Sequence, residues 1–413
     1  MSSSSRNRHL WAAAVAALLG AAAAHSQENY FIPQVSVGAD YNTNRDLNPD
    51  SSAVSGTETY HAAAEARIGH VTPRSETELH PKLVYQYFEG DTGLNKLDEF
   101  LDLRSFYKTL TGRFSFAGQY ARQDIVTAEL GSATFDEFNP NPTTDDTGLV
   151  DVHGTRQTID VKPGYSVDLN ERSNLDAEFE YHAVKYDAVL LDKVGYKSPY
   201  FEFTYGHQWG PRSSFSVGPY YSRFESDDDS NKTDTYGAIA QFRRQQTELT
   251  NFTLSIRAEN DKSTDYLAGV ETDSASKATW GIEFVGYRKF LVGGLRYSVG
   301  RFLQPSTLGN RRETDQIQLQ YTRPISLRFG FTGAVRYSKD NSISADQNSN
   351  NDRKRAFADL GFEWQWTQTV FINGGYHYAY QNLQAGDTTA SNNAVSLSII
   401  YRGLQPRRVE RMR

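Results

Sequence analysis

Between residues 34 and 401 the chain alternates apolar and polar side chains in runs of about ten, each closed by an aromatic and followed by a turn or a polar loop. Residues 326–338 show the pattern. Leu327, Phe329, Phe331, Val335 and Tyr337 fall on one face with Gly333, and Arg328, Gly330, Thr332, Ala334 and Arg336 fall on the other. A period of two puts successive side chains on opposite faces of a strand. A soluble sheet also alternates, but seldom over nearly a whole chain. A membrane barrel has to do so, because one face of every strand meets lipid and the other meets a wet lumen. The expected fold is therefore all-β, a transmembrane antiparallel up-and-down β-barrel of about 18 strands, within a range of roughly 16–18.

The runs fall at residues 34–42, 59–68, 76–88, 99–109, 112–124, 156–167, 173–186, 200–209 and 213–224. The remainder are 233–243, 250–260, 277–287, 293–302, 313–322, 326–338, 354–364, 370–380 and 393–402. Their connections alternate in length. Leu110-Thr111, Asn170-Glu171-Arg172, Gly210-Pro211-Arg212, Pro324-Ile325 and residues 365–369 are short. Residues 43–58, 125–155, 187–199, 261–276, 339–353 and 381–392 form long polar connections. Bacterial barrels have short periplasmic turns and long outer loops. If the first strand runs outward, every long connection lands outside. Aromatics gather near strand ends, Tyr85, Tyr87, Tyr337 and Tyr376 towards one rim and Trp209, Tyr287, Trp364 and Tyr401 towards the other. Two girdles at the membrane boundaries would look like this.

The first 26 residues read as a cleaved secretory signal. Arg6, Arg8 and His9 form a positive start, residues 10–24 are apolar and alanine-rich, and Ala24-His25-Ser26 fits the small-x-small cleavage pattern. The barrel is assigned to residues 27–402 and a basic periplasmic tail to residues 403–413, with no plug domain. The expected location is the outer membrane of a Gram-negative cell. Cysteine is absent, which excludes a lipid-anchored cysteine and any disulfide. The net charge of -7 becomes two units more negative once Arg6 and Arg8 leave, which argues against a nucleic-acid partner.

Alternation also assigns the lumen. Asp176, Glu178, Glu180 and Glu202 form an acidic stripe on neighbouring strands. Arg104, Lys108 and Arg113 form one basic stripe, and Arg296, Arg328 and Arg336 another. Opposed stripes set a field across a lumen that orients polar solutes, whereas pairing across strands would make them ordinary solvated wall charge. Phe88, Phe100, Phe106, Tyr220 and Phe371 share lumen parity. A row of bare rings there would favour sugars, which stack on aromatic faces.

Catalytic patterns are missing. There is no G-x-S-x-G and no metal-spaced histidine pair, and His80, His182 and His377 fall on distant strands. No enzymatic activity, cofactor or metal is expected. Asp227-Asp228-Asp229 reads as a hydrated turn, with calcium binding or lipopolysaccharide bridging as the sharper alternative. The connection at residues 125–155 carries Phe135, Asp136 and Phe138. It is a candidate constriction if it folds inward and a surface loop if it does not. Arg407, Arg408, Arg411 and Arg413 make the tail basic.

The opening strand reads Val35-Ser36-Val37-Gly38-Ala39-Asp40-Tyr41-Asn42-Thr43-Asn44-Arg45. It resembles the start of a group of proteobacterial porin-like barrels associated with exopolysaccharide operons. The length, the missing plug and the strand number resemble that group over most of the chain. The resemblance implies a conduit for a secreted polysaccharide, working with periplasmic polysaccharide export proteins in outer-membrane lipid and lipopolysaccharide. Two other readings stand beside it. One is a general or sugar-selective diffusion porin, and the other is a structural barrel with a blocked lumen.

Overall fold

The computed structural model describes residues 28–49, 56–89, 96–130, 133–134, 154–187, 193–267, 270–306, 311–342, 352–383 and 388–404. Phe135, Asp136 and Phe138, the leader, and Arg407, Arg408, Arg411 and Arg413 lie outside those residues. Eighteen antiparallel strands pair each with the next in sequence, and β1 also pairs with β18, so the sheet closes on itself. The strands are β1(Glu28–Asn42), β2(Thr57–Val71), β3(Ser75–Phe88), β4(Lys96–Lys108), β5(Gly112–Asp124) and β6(Thr155–Asn170). Then come β7(Ser173–Tyr186), β8(Tyr196–Gly210), β9(Ser213–Ser226), β10(Asn231–Thr247), β11(Thr250–Leu267) and β12(Val270–Lys289). The last six are β13(Gly294–Pro305), β14(Arg311–Pro324), β15(Phe329–Ser342), β16(Arg353–Gln365), β17(Val370–Leu383) and β18(Thr388–Arg402). A closed ladder satisfies its own backbone and leaves no edge strand.

The alternation sorts as expected. Val35, Val37, Phe201, Phe203, Ile317, Leu319, Val395, Leu397 and Ile399 all point outward and are exposed. Their neighbours in sequence point into the lumen. The register keeps each row consistent, as where Val35, Val37 and Ala39 face Tyr401, Ile399 and Leu397. The short connections share one end of the barrel with both termini of the described chain. They are tied locally: Asn170 Oδ1 accepts the Arg172 amide at 2.9 Å, a side-chain turn. At the β12–β13 turn, Gly293 sits at φ +95, and a Cβ there would lie 2.2 Å from the Thr322 carbonyl oxygen. Only glycine fits.

The largest departures from the expected boundaries fall at three places. β1 starts at Glu28 and pairs along its whole length with β2. Residues 261–276, expected as a loop, are mostly strand: β11 and β12 stay in register as far as Leu267 and Val270. That hairpin tip carries Lys262, Ser263, Thr264 and Asp265 against Asp273–Ser276. With no apolar face, it shows no alternation although it pairs. Residues 381–383 and 388–392, also expected as loop, belong to β17 and β18.

Candidate functional site

The long connection after β5 turns into the barrel. Its first turn is the helix α1(Ile125–Leu130), whose Ile125 and Val126 are fully buried. The place where it leaves the wall is fixed by charge. Asp124 accepts from Arg45 at 2.9 Å and also binds Lys96, and its own amide donates to Asp98 at 2.9 Å. Arg45 in turn lies 4.3 Å over the Phe88 ring. Both carboxylates and Arg45 are almost fully buried, and such charges persist only when paired and hydrogen-bonded.

Beyond the helix the chain reaches the far wall. The Ala133 amide donates to Asp359 on β16 at 2.6 Å, and the Ala133 carbonyl accepts from Gln318 on β14 at 2.9 Å. β14 is the ninth strand on from β5, halfway round the barrel. Gln318 and Asp359 sit near the middle of their strands, so the strap lies deep in the lumen. A second inward knuckle comes from the β1–β2 loop. Leu47 takes a left-handed φ of 47 and is 3% exposed. Paired bonds between Asn44 and Asn48, at 2.9 and 3.0 Å, hold it there, and its carbonyl accepts from Gln381 at 3.3 Å. A non-glycine residue holds that conformation only when its surroundings over-determine it. Leu47, Val126 and Ala133 pack with Ala334, Phe357, Ala379 and Ala390 of the wall into one apolar cluster inside the lumen.

The two inward segments divide the wall. On β14 to β18 many inward residues are covered: Thr314, Gln318, Arg336, Ser338, Asp340, Arg355, Gln381 and Asn392 are all buried. Asp340 there takes Arg355 at 3.1 Å and Thr314 at 2.9 Å. On β2 to β8 most inward side chains stay partly exposed. Below the strap a cavity of about 270 Å³ opens between Thr134, Thr332, Asp359, Gly361, Gly375, His377 and Ser396.

The acidic stripe assembles on the open wall. Asp176, Glu178 and Glu180 share one face of β7, and Glu202 of β8 lies directly across from Glu178. Lys162 of β6 stands 3.1 Å from both Glu178 and Glu180, and Tyr200 donates to Glu202. Side-chain exposures of 42% for Glu178 and 36% for Glu180 leave both within reach of solvent. The first basic stripe also assembles. Lys108 faces Arg113 across β4 and β5, and both lie over the Phe106 ring, at 5.7 and 4.4 Å. Arg104 is the cross-strand partner of Glu78.

The second basic stripe does not form as one. Arg336 is on the covered wall, 4.7 Å over Phe357. Arg296 lies near the turn end of β13, opposite Gln320. Arg328 belongs to the exposed turn before β15 rather than to the wall: alternation gave its face, but the strand begins one residue later, at Phe329. The lumen aromatics offer no bare path. Cations lie over Phe88, Phe100, Phe106 and Phe371, and Tyr220 is buried against Tyr200.

His80, His182 and His377 each meet a carboxylate on a neighbouring strand, Glu65, Asp160 and Asp359 respectively. Sequence reasoning passed over His61, which meets Asp40 at 3.2 Å in the same way. Among the described residues no group of acids and histidines is arranged to hold a metal ion. The aspartate triplet lies in the turn between β9 and β10. Asp227 and Asp229 pair with Lys197 and Lys232 at 3.4 and 3.2 Å. Burial raises the Asp228 carboxyl, but hydrogen bonds from Ser230 and Ser226 outweigh it and hold the group below the usual aspartate range.

No protein-family model matches the sequence, and no curated protein matches it. Solved structures resemble it in fold. OccAB3 of Acinetobacter baumannii is 9% identical, with a TM-score of 0.45 over 91% of this chain and 99% of that one. OpdL of Pseudomonas aeruginosa is 10% identical, with a TM-score of 0.42 over 91% and 98%. The ferric-catecholate import receptor Fiu of E. coli K12 is 10% identical, with a TM-score of 0.45 over 89% and 81%.

Proposed function

We propose that the protein is an outer-membrane channel with a constricted, polar lumen, and that its cargo is saccharide. Membrane insertion is supported by the exposed apolar outer face together with a ladder that closes without an edge. Among the described residues no helix is long and apolar enough to cross a membrane. The observation that carries the channel reading is the strap. It reaches mid-depth on the far wall and leaves the passage to run along β2 to β8, lined by hydrated acids and bases. Many weak polar contacts without a tight site suit a moving hydrophilic cargo, since tight binding stalls passage.

The direction we propose is outward, as a conduit for a secreted polysaccharide handed over by periplasmic export proteins. The opening strand's resemblance supports it. The strap itself favours a second reading, a diffusion pore for small sugars, because an inward segment narrows the lumen for small solutes. Deletion of the gene in its own host separates the two. Loss of surface polysaccharide with normal sugar uptake supports export. Normal polysaccharide with slowed uptake makes the protein a diffusion porin.

A further inference from the structure

The outer face of β15 to β17 carries a feature that the lumen does not use. Lys339 and Lys354 are direct cross-strand partners and both point outward, following Tyr337 and Leu360 in the alternation. Like charges placed directly opposite one another destabilise a sheet. Neither lysine is relieved by an acid among the described residues. Asp315, the cross-strand neighbour of Lys339, is held by Arg301 through bonds of 2.6 and 2.8 Å. An anion seated between the two ammonium groups would remove the conflict.

Their height agrees with a membrane boundary. Phe329 pairs with Trp364 near the turn end, and the lysines pair ten residues further along the same strands. At about 3.3 Å per residue and a tilt of about 40°, that is a rise of ~25 Å, the height of a barrel's apolar band. Directly below the lysines runs a shallow lane. The outward residues of β16 are Ala356 and Ala358, flanked by Tyr337 and Val335 on β15 and by Tyr380 and Tyr378 on β17. Small residues between larger side chains leave a shallow trough on the outer face.

We propose that this surface holds a phosphate-bearing lipid of the lipid A class, with its phosphate between Lys339 and Lys354 and an acyl chain along Ala356 and Ala358. Lysine binds phosphate as a point charge, and the lane is what distinguishes a lipid from a free anion. The proposal rests on the membrane reading above. Recovery in the outer-membrane fraction and a boiling-dependent gel shift test that reading separately.

The test is native mass spectrometry of the full-length protein purified from membranes, delipidated and then offered lipid A. The wild type should retain lipid A and should not retain lipid A stripped of its phosphates. The double variant K339Q/K354Q should retain it at least several-fold less. K185Q, at another outward lysine near the loop end of β7, should behave as wild type. Ala358→Phe should weaken retention with both lysines in place. Excess inorganic phosphate should leave the lipid bound. Every variant is checked for the boiling-dependent shift, so that loss of fold is not read as loss of lipid. Equal retention by wild type and K339Q/K354Q would overturn the proposal. So would an equal loss in K185Q, or complete displacement by inorganic phosphate.

Discussion

The two halves of the lumen wall are built from one alternating pattern and end in opposite states. On β2 to β8, away from the cluster around Asp124, inward charges stay partly exposed: Glu178 and Glu180 share Lys162, and Lys108 and Arg113 share one ring. On β14 to β18 they are sheathed. Asp340 is fully buried and satisfied by Arg355 and Thr314, and Arg336 is 5% exposed beneath the strap's apolar cluster. The difference comes from two loops, not from the strands. Alternation decides which side chains face inward. Whether those side chains meet water depends on what crosses the lumen above them.

The largest expected effect follows from removing that cover. Replacing residues 127–150 by a short glycine–serine linker should raise single-channel conductance in planar bilayers severalfold, because the covered wall then joins the passage. Unchanged conductance would mean that the division of the lumen has no bearing on flow.

The anchor points are next in size. Asp359→Ala removes the acceptor of the Ala133 amide, and Gln318→Ala removes the donor to its carbonyl. A hydrogen bond to a charged group contributes about 1.5–3 kcal/mol net. Loss of the Asp359 bond should therefore enrich a larger-conductance state by roughly tenfold or more, at about 1.4 kcal/mol per tenfold. Gln318→Ala, losing a neutral bond, should do less. The readout is the dwell-time ratio of the two current levels. A single steady level in D359A would show that the strap is held elsewhere.

These two segments also mark how far the sequence could be read. The strands were legible because each has one face for an apolar surrounding and one for water, which imposes a period of two. The hairpin tip at Lys262–Asp265 was not, because there both faces meet water and pairing leaves no hydropathy signal. The acidic stripe was legible for the same reason as the strands: Glu178 and Glu202 needed only parity and a neighbouring strand. The strap was not. Its contacts run through the backbone of an alanine to partners 226 and 185 residues away, and no side-chain pattern encodes that. Arg328 shows a smaller failure. Its face was right, but a strand start misplaced by a few residues moved it from turn to wall.

The finest test applies a similar charge change to both walls. Glu178→Gln with Glu180→Gln removes two charges that an ion passing the open wall approaches within about a Debye length, ~8 Å. At that range in water each charge contributes ~0.2–0.5 kcal/mol, with opposite sign for a cation and an anion, so losing both should lower the cation-to-anion permeability ratio roughly fourfold or more. The reversal potential in a salt gradient reads this directly. Arg336→Gln removes one charge from the covered wall, and the reversal potential should stay where it is. What changes instead is packing, since the guanidinium loses its seat on Phe357, a contact of ~0.5–2 kcal/mol. The temperature at which the folded gel band converts should fall slightly. A reversal-potential shift in R336Q as large as that of the glutamate pair would mean that ions reach the sheathed wall. The contrast between the two halves would then be one of chemistry and not of access.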